Sequence, residues 1–215
     1  MQIGEETPTL QTVVERAVEV VPACDAASVS LRRRRNRSET VAASSDIARR
    51  ADQLQYELAE GPCLEAVVTG GSRLSNRLDS SEDWPRWGPR AATMGVHAIL
   101  GIQLSTSDEV LGALNLYAGK PGAFTREDVD VAEIFATHAT NALTAARMSS
   151  GLRTALHTRH MIGVAQGILM ELYELSMDQS FELLRRYSSH SNTKLGEVAE
   201  YVVRHRALPD TETPG

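Results

Sequence analysis

The chain has 215 residues, 42% of them hydrophobic, and a formal net charge of −6, enough apolar content to bury the cores of one or two globular domains. The acidic balance argues against a general nucleic-acid coat, which relies on Lys and Arg neutralising phosphates. No run approaches the roughly 18 consecutive apolar residues of a membrane span, and the opening MQIGEETPTL has no charged and apolar leader pattern, so a cytoplasmic protein is expected. With Cys24 and Cys63 the two cysteines and no zinc-type spacing around them, neither a disulfide framework nor a structural metal is indicated.

Residues 1–8 read as a flexible start. Leu10, Val13, Val14, Ala17 and Val21 then recur at helical spacing, and Pro22 closes that helix. The stretches ASVSLRR and ETVAASS predict two strands joined across the basic run from Arg32 to Arg37. A solvated turn is the favoured reading of that run, because like charges at strand edges also block unwanted pairing. DIARRADQLQYELAEGPCLEAVVTGG predicts a helix, a break at Gly61-Pro62 and a short helix from Cys63. DWPRWGPRAATMG predicts a loop with a turn or two of helix. HAILGIQLS and EVLGALNLYA predict the central hairpin of an antiparallel sheet. Thr125 and Asp128 stand at capping-box spacing before Val129, Ala132, Phe135, Ala139, Ala142 and Ala146, which predicts a long helix. This order fits an α+β domain with helices on one side of an antiparallel sheet.

Beyond it the pattern changes to three helices with no strand signal. The first is expected from about Ser150 to Leu175, burying Leu152, Leu156, Ile162, Ala165, Ile168, Leu169 and Leu172. The second is announced by the capping pair Ser176 and Gln179 and carries Phe181, Leu184 and Tyr187. The third, opened by Asn192 or Thr193, presents Leu195, Val198, Ala199 and Val202. Residues 208–215 read as a disordered tail. At the junction ARMSSGLRT, Ser149, Ser150 and Gly151 either break the helix or flex within a continuous one. Gly163 and Gly167 lie one turn apart in the first of the three helices and cost it about 1 kcal/mol each. The expected return is a close approach by a neighbouring group, most simply a tight helix crossing.

The ordered phrases VSLRRRRNRSETVAASSDIARRADQLQYELAEGPCLEAV, LGALNLYA and AFTREDVDVAEIFATHATNAL resemble the GAF domain of actinobacterial GAF-ANTAR regulators, over residues 9–148. The resemblance implies a six-stranded sheet with a ligand pocket on one face, for an unidentified small molecule; no cofactor is identified. LHTRHMIGVAQGILMELYELSMDQSFELLRRYSSHSNTKLGEVAEYVV resembles the ANTAR domain, placed at residues 149–207. That resemblance implies a three-helix RNA-binding unit acting as a homodimer on twin stem-loops in messenger leaders and favouring an antiterminator. This chain departs from the family pattern at three positions. Gln166 stands where Lys is common, Ser180 where Ala precedes Phe, and Thr193 where a basic residue is frequent, and the first and third of these remove a positive charge that would attract phosphate.

From Gly151 to Arg206 there are seven basic residues against six acidic ones, with four of the six histidines. Loop bases are gripped by stacking and edge hydrogen bonds while cations fix the backbone. Residue type and position therefore select Arg159 and Arg186 for phosphate or a guanine edge, with Arg185 beside them. Gln166 suits a base edge next to Gly167, Tyr187 stacking, and Lys194 phosphate. The plainer readings are a solvated face for Arg185 and Arg186 and a half-buried ring for Tyr187.

An enzyme is not expected. Cys63 follows Gly61-Pro62 at a helix start, where the helix dipole lowers a thiol pKa, but no base can be set beside it from sequence. A buried structural cysteine is preferred, with redox sensing the intermediate reading. Haem ligation by His97 or His138 has no support beyond the residues themselves. The rival classes are a DNA-binding regulator using the last two helices, disfavoured by Glu182, Glu197 and Glu200, and a GAF-mediated sensor or protein-interaction adaptor with a silent RNA surface.

Overall fold

The computed structural model describes residues 6–33 and 37–209. Arg34, Arg35 and Asn36, at the tip of the predicted basic turn, lie outside them, as do residues 1–5 and 210–215 at the two ends. The chain divides into two compact units, Met1–Arg147 and Met148–Gly215.

The first unit opens with α1 (Glu6–Val20), so helix begins ahead of Leu10. The hairpin β1 (Ala26–Arg32) and β2 (Ser38–Ala43) follows, then α2 (Asp46–Leu58) and α3 (Pro62–Thr69). Next come β3 (Ser72–Ser75), a 3-10 turn at Leu78–Ser80, α4 (Trp87–Thr93), β4 (Ala98–Ser105) and β5 (Val110–Ala118). Among the described residues the sheet has five strands, all antiparallel, in the order β2-β1-β5-β4-β3. The resemblance implied six. Strand β3 carries no sequence signal of its own. SRLS is four residues long with a polar alternation, and it is held as an edge by pairing with β4 from Ser72↔Ile102 to Ser75↔Ile99.

Helices cover both faces of the sheet rather than one, because the central strands are buried on both sides. Ala27, Val29 and Leu31 of β1, Ala98, Leu100, Ile102 and Leu104 of β4, and Leu114, Leu116 and Ala118 of β5 point one way. There they pack against Leu10, Val14 and Ala17 of α1 and Ala132, Ala136, Ala139 and Leu143 of the long helix α5 (Arg126–Tyr173). Ala26, Ile99 and Tyr117 point the other way, against Ala48 and Ala51 of α2 and Trp87 and Ala91 of α4. The segment read as a loop with two tryptophans thus forms part of a core. Trp84 and Trp87 are buried edge to face with centroids 6.4 Å apart, and Trp87 Nε1 donates to the Ala51 carbonyl at 3.1 Å. Glu60 ties α4 to α2 by accepting from the main-chain amides of Arg86 and Trp87 at 2.7 and 2.8 Å.

Helix α5 starts at the expected capping box, where Asp128 N donates to Thr125 Oγ1 at 3.2 Å and Thr125 N to Asp128 Oδ2 at 2.8 Å. Its backbone is helical through Ser149, Ser150 and Gly151.

The second unit is α-helical. It joins the end of α5 to α6 (Met177–His190) and α7 (Leu195–His205). Its core is Ala165, Leu169, Leu184, Val198, Ala199 and Val202, with Ile162, Ile168, Tyr187 and Leu195 half-buried around it. Three expected core residues are not in it: Leu152, Leu156 and Leu172 are 62%, 60% and 44% exposed. The predicted capping box of α6 is present, Ser176 Oγ accepting from Gln179 N and Gln179 Oε1 from Ser176 N. The start of α7 is shifted from Asn192 or Thr193 to Lys194, because Asn192 takes a left-handed conformation with φ 51° that turns the chain ahead of the helix. No helix among the described residues is long and apolar enough to cross a membrane.

Candidate functional site

The glycine pair does not mark a close crossing within the chain. A Cβ built on Gly163 or Gly167 meets nothing within 4 Å. The stripe that α5 buries in this unit runs through Ile162, Ala165 and Leu169, and residues 163 and 167 fall outside it at 100° per residue. The close approach is at Gly196, where an added Cβ would stand 3.0 Å from Thr158 Cγ2, so the start of α7 lies tightly against α5. A contact of 3.8 Å between His157 Nε2 and Glu200 Oε1 lies on the same pair of helices.

Of the residues selected from sequence, Arg159 and Arg186 are exposed and have no ion-pair partner among the described residues. Arg185 is exposed but held by Glu182 at 2.7 Å, a surface pair worth about 1 kcal/mol or less that a phosphate can displace. Lys194 is 87% exposed at the start of α7, its Nζ 3.9 Å from Glu197. Tyr187 packs half-buried against the core, so only part of its ring is open. Arg185, Arg186, Tyr187 and His190 line one open recess of about 760 Å³ along α6, which brings two of the selected cations and one ring together. Gln166 does not stand free. Its Nε2 donates to the Met177 carbonyl at 3.1 Å, leaving Oε1 without a partner among the described residues. Gly167 is exposed beside it.

The other face of chemical interest was missed in sequence. Ser28 and Ser30 alternate with Val29 and Leu31, yet both are buried. Register explains why. Ser28 pairs with Asn115 and Ala26 with Tyr117, while Gly101 of β4 flanks Asn115 on the other side. Above them α2 presents Asp52 and Gln55, both fully buried. Asp52 accepts from Asn115 Nδ2 at 2.9 Å, from Thr40 Oγ1 at 2.8 Å and from the Tyr117 hydroxyl. Asn115 Nδ2 also donates to Ser28 and Ser30 at 3.3 and 3.2 Å. The Tyr56 hydroxyl bonds Ser30 and Thr40 at 2.6 and 2.9 Å. Gln55 donates to Tyr117 and accepts from the Cys63 amide at 2.9 Å. A polar layer therefore fills the space between sheet and α2, and Asn115 Oδ1 is buried in it with no hydrogen-bond partner among the described residues. Burial pushes the Asp52 carboxyl above its usual range, opposed by the hydrogen bonds it accepts.

Cys63 lies at the edge of this layer. It is completely buried, and burial followed by the nearby Asp52 charge pushes its thiol up to about 12. Burial outweighs the helix start, which gives the opposite of the exposed, acidic thiol that oxidant sensing uses. Cys24 is likewise buried and pushed up to about 12. Among the described residues no group of three or more His, Cys, Asp or Glu is placed to hold a metal ion.

A five-stranded antiparallel sheet clothed by helices on both faces, followed by a compact helical module, defines a two-module protein with an α+β part and an all-α part. The chain belongs to the GAF family, whose domain model matches residues 5–144, and the ANTAR domain model matches residues 150–203. Both are regulatory domains. No curated protein matches the sequence. Among experimental structures, the GAF-B domain of DevS from Mycobacterium smegmatis is similar at 19% identity and TM-score 0.52, covering 68% of this chain and 98% of its own. The blue-light absorbing form of the PixJ GAF domain from Thermosynechococcus elongatus matches at 17% identity and TM-score 0.52, over 71% and 92%. The type II free methionine-R-sulfoxide reductase from Thermoplasma acidophilum matches at 15% and 0.51, over 64% and 92%. At these identities the likeness is one of fold.

Proposed function

We propose that the protein is a signal-responsive RNA-binding regulator of transcription antitermination, acting in the cytoplasm as a homodimer. Its ANTAR domain grips paired stem-loops in nascent messages, and its GAF domain serves as sensor and dimerisation module for a small-molecule signal. The observation that carries this reading is Arg186. It is an exposed cation without an ionic partner among the described residues, lining the α6 recess together with Arg185 and Tyr187 inside the matched ANTAR segment. Arg159 and Lys194 add phosphate contacts, Gly167 lets the backbone of α5 be approached, and Gln166 offers its carbonyl oxygen to a base donor. In this reading a signal that favours one packing of α5 shifts the two RNA-binding units of the dimer, by no more than its differential affinity for the two states.

Gel shifts at fixed salt against an RNA of two short hairpins, the same RNA with altered loops and the matching DNA duplex test the reading. Binding of the first alone supports it, and Arg186→Ala is expected to weaken that binding about tenfold. Binding of the duplex instead would favour a DNA regulator, and binding of neither an adaptor.

A further inference from the structure

Helix α7 buries Val198, Ala199 and Val202 and leaves Tyr201, Arg204 and His205 outside the core. Tyr201 is 37% exposed, and its ring lies on the imidazole of His205 with centroids 4.3 Å apart and planes 34° from parallel. The two rings are thus already assembled as a small tilted stack on the surface of α7. Lys194 is the N-cap residue just before α7, seven residues ahead of Tyr201, and is exposed with its Nζ 3.9 Å from Glu197. Arg204 stands beside the stack with no ion-pair partner among the described residues, whereas Glu200 is turned towards His157 of α5.

We propose that Tyr201, backed by His205, is a stacking platform for one unpaired nucleobase of the bound RNA, with Lys194 and Arg204 holding the backbone on either side of it. This rests on the RNA-binding reading above and adds a stacking ring to the half-buried Tyr187. An unpaired base suits the surface because it offers a π face to the rings and phosphates to the cations at once. An apolar protein partner would have to bury the Arg204 guanidinium against Tyr201 without a counter-charge. A base held inside a duplex has no free face to offer.

The test uses the full chain and an RNA of two short hairpins carrying 2-aminopurine at successive loop positions, titrated over a range of salt. Tyr201→Phe retains affinity. Tyr201→Leu weakens binding by about tenfold, as expected for one lost base stack, and leaves the slope of log affinity against log salt unchanged, because stacking releases no counterions. Arg204→Ala weakens binding and reduces that slope by about one. One 2-aminopurine position is quenched by the wild type and by Tyr201→Phe and stays bright with Tyr201→Leu. If Tyr201→Leu is not helical by circular dichroism, His205→Ala is read in its place, with partial loss of the quench expected. RNA binding by the wild type with equal affinity and quench in Tyr201→Leu overturns the platform and leaves the RNA reading standing. No binding of the hairpin RNA by the wild type at any salt overturns both.

Discussion

The side-chain amide of Gln166 on α5 donates to the main-chain carbonyl of Met177 at the first residue of α6, at 3.1 Å. Ser180 Oγ donates to the same oxygen at 2.8 Å. Two positions at which this chain departs from the ANTAR pattern therefore meet at one atom of the turn between the helices. Exchanging a cation for an amide removes phosphate attraction but gives α5 a hold on the start of α6. Gln166→Lys is expected to tighten hairpin RNA binding and to steepen its salt dependence by about one counterion. Gln166→Ala is expected to lose about 0.5–1 kcal/mol from the helical module, the net worth of one partly exposed hydrogen bond. Binding titrations over salt and thermal melts check the two halves separately.

The glycines make opposite predictions. Gly163→Ala and Gly167→Ala add a methyl into open space and should each stabilise the isolated fold by about 1 kcal/mol through helix propensity. Gly196→Ala places its methyl 3.0 Å from Thr158 Cγ2 and should lower the melting temperature. Gly167→Ala should at the same time weaken RNA binding, because the backbone is no longer open to a close ligand. Melting curves with hairpin RNA titrations give both readouts.

Asp52 makes the sensor domain pH-sensitive. Burial lifts its folded-state pKa above the ordinary value of 3.8, so the native chain holds this proton more tightly than the unfolded chain does. The resulting stability is fully present below pH 3.8 and is lost as the pH rises through the folded-state value. Asp52→Asn removes this contribution while keeping an acceptor for Asn115 Nδ2. Its unfolding free energy should therefore change less with pH over that window than that of the wild type, as measured by denaturant titration at a series of pH values.

Both thiols should be inert in the native protein. With Cys24 and Cys63 buried and each pushed up to about 12, iodoacetamide at neutral pH should modify neither until denaturant is added. Intact-mass spectrometry before and after unfolding reads this directly. Stoichiometric labelling of Cys63 in the folded state would restore a redox role.

Local pattern was sufficient wherever a structural choice depends on near neighbours. The capping boxes at Thr125 and Ser176 form as written, since each is satisfied within three residues of chain. Strands β1, β2, β4 and β5 follow their apolar spacing, and the ordered phrases identify both domains. Tertiary structure alone decided what each polar residue faces. Ser28 and Ser30 alternate with Val29 and Leu31, but pairing beside Asn115 and the arrival of Asp52 and Gln55 on α2 bury them. The same holds in the helical module, where Gly163 and Gly167 lie open and Gly196 carries the close contact. Periodicity reports which residues share a face, because that follows from backbone geometry. It does not report what is brought against the face, because that is set by residues up to 87 positions away, as between Ser28 and Asn115.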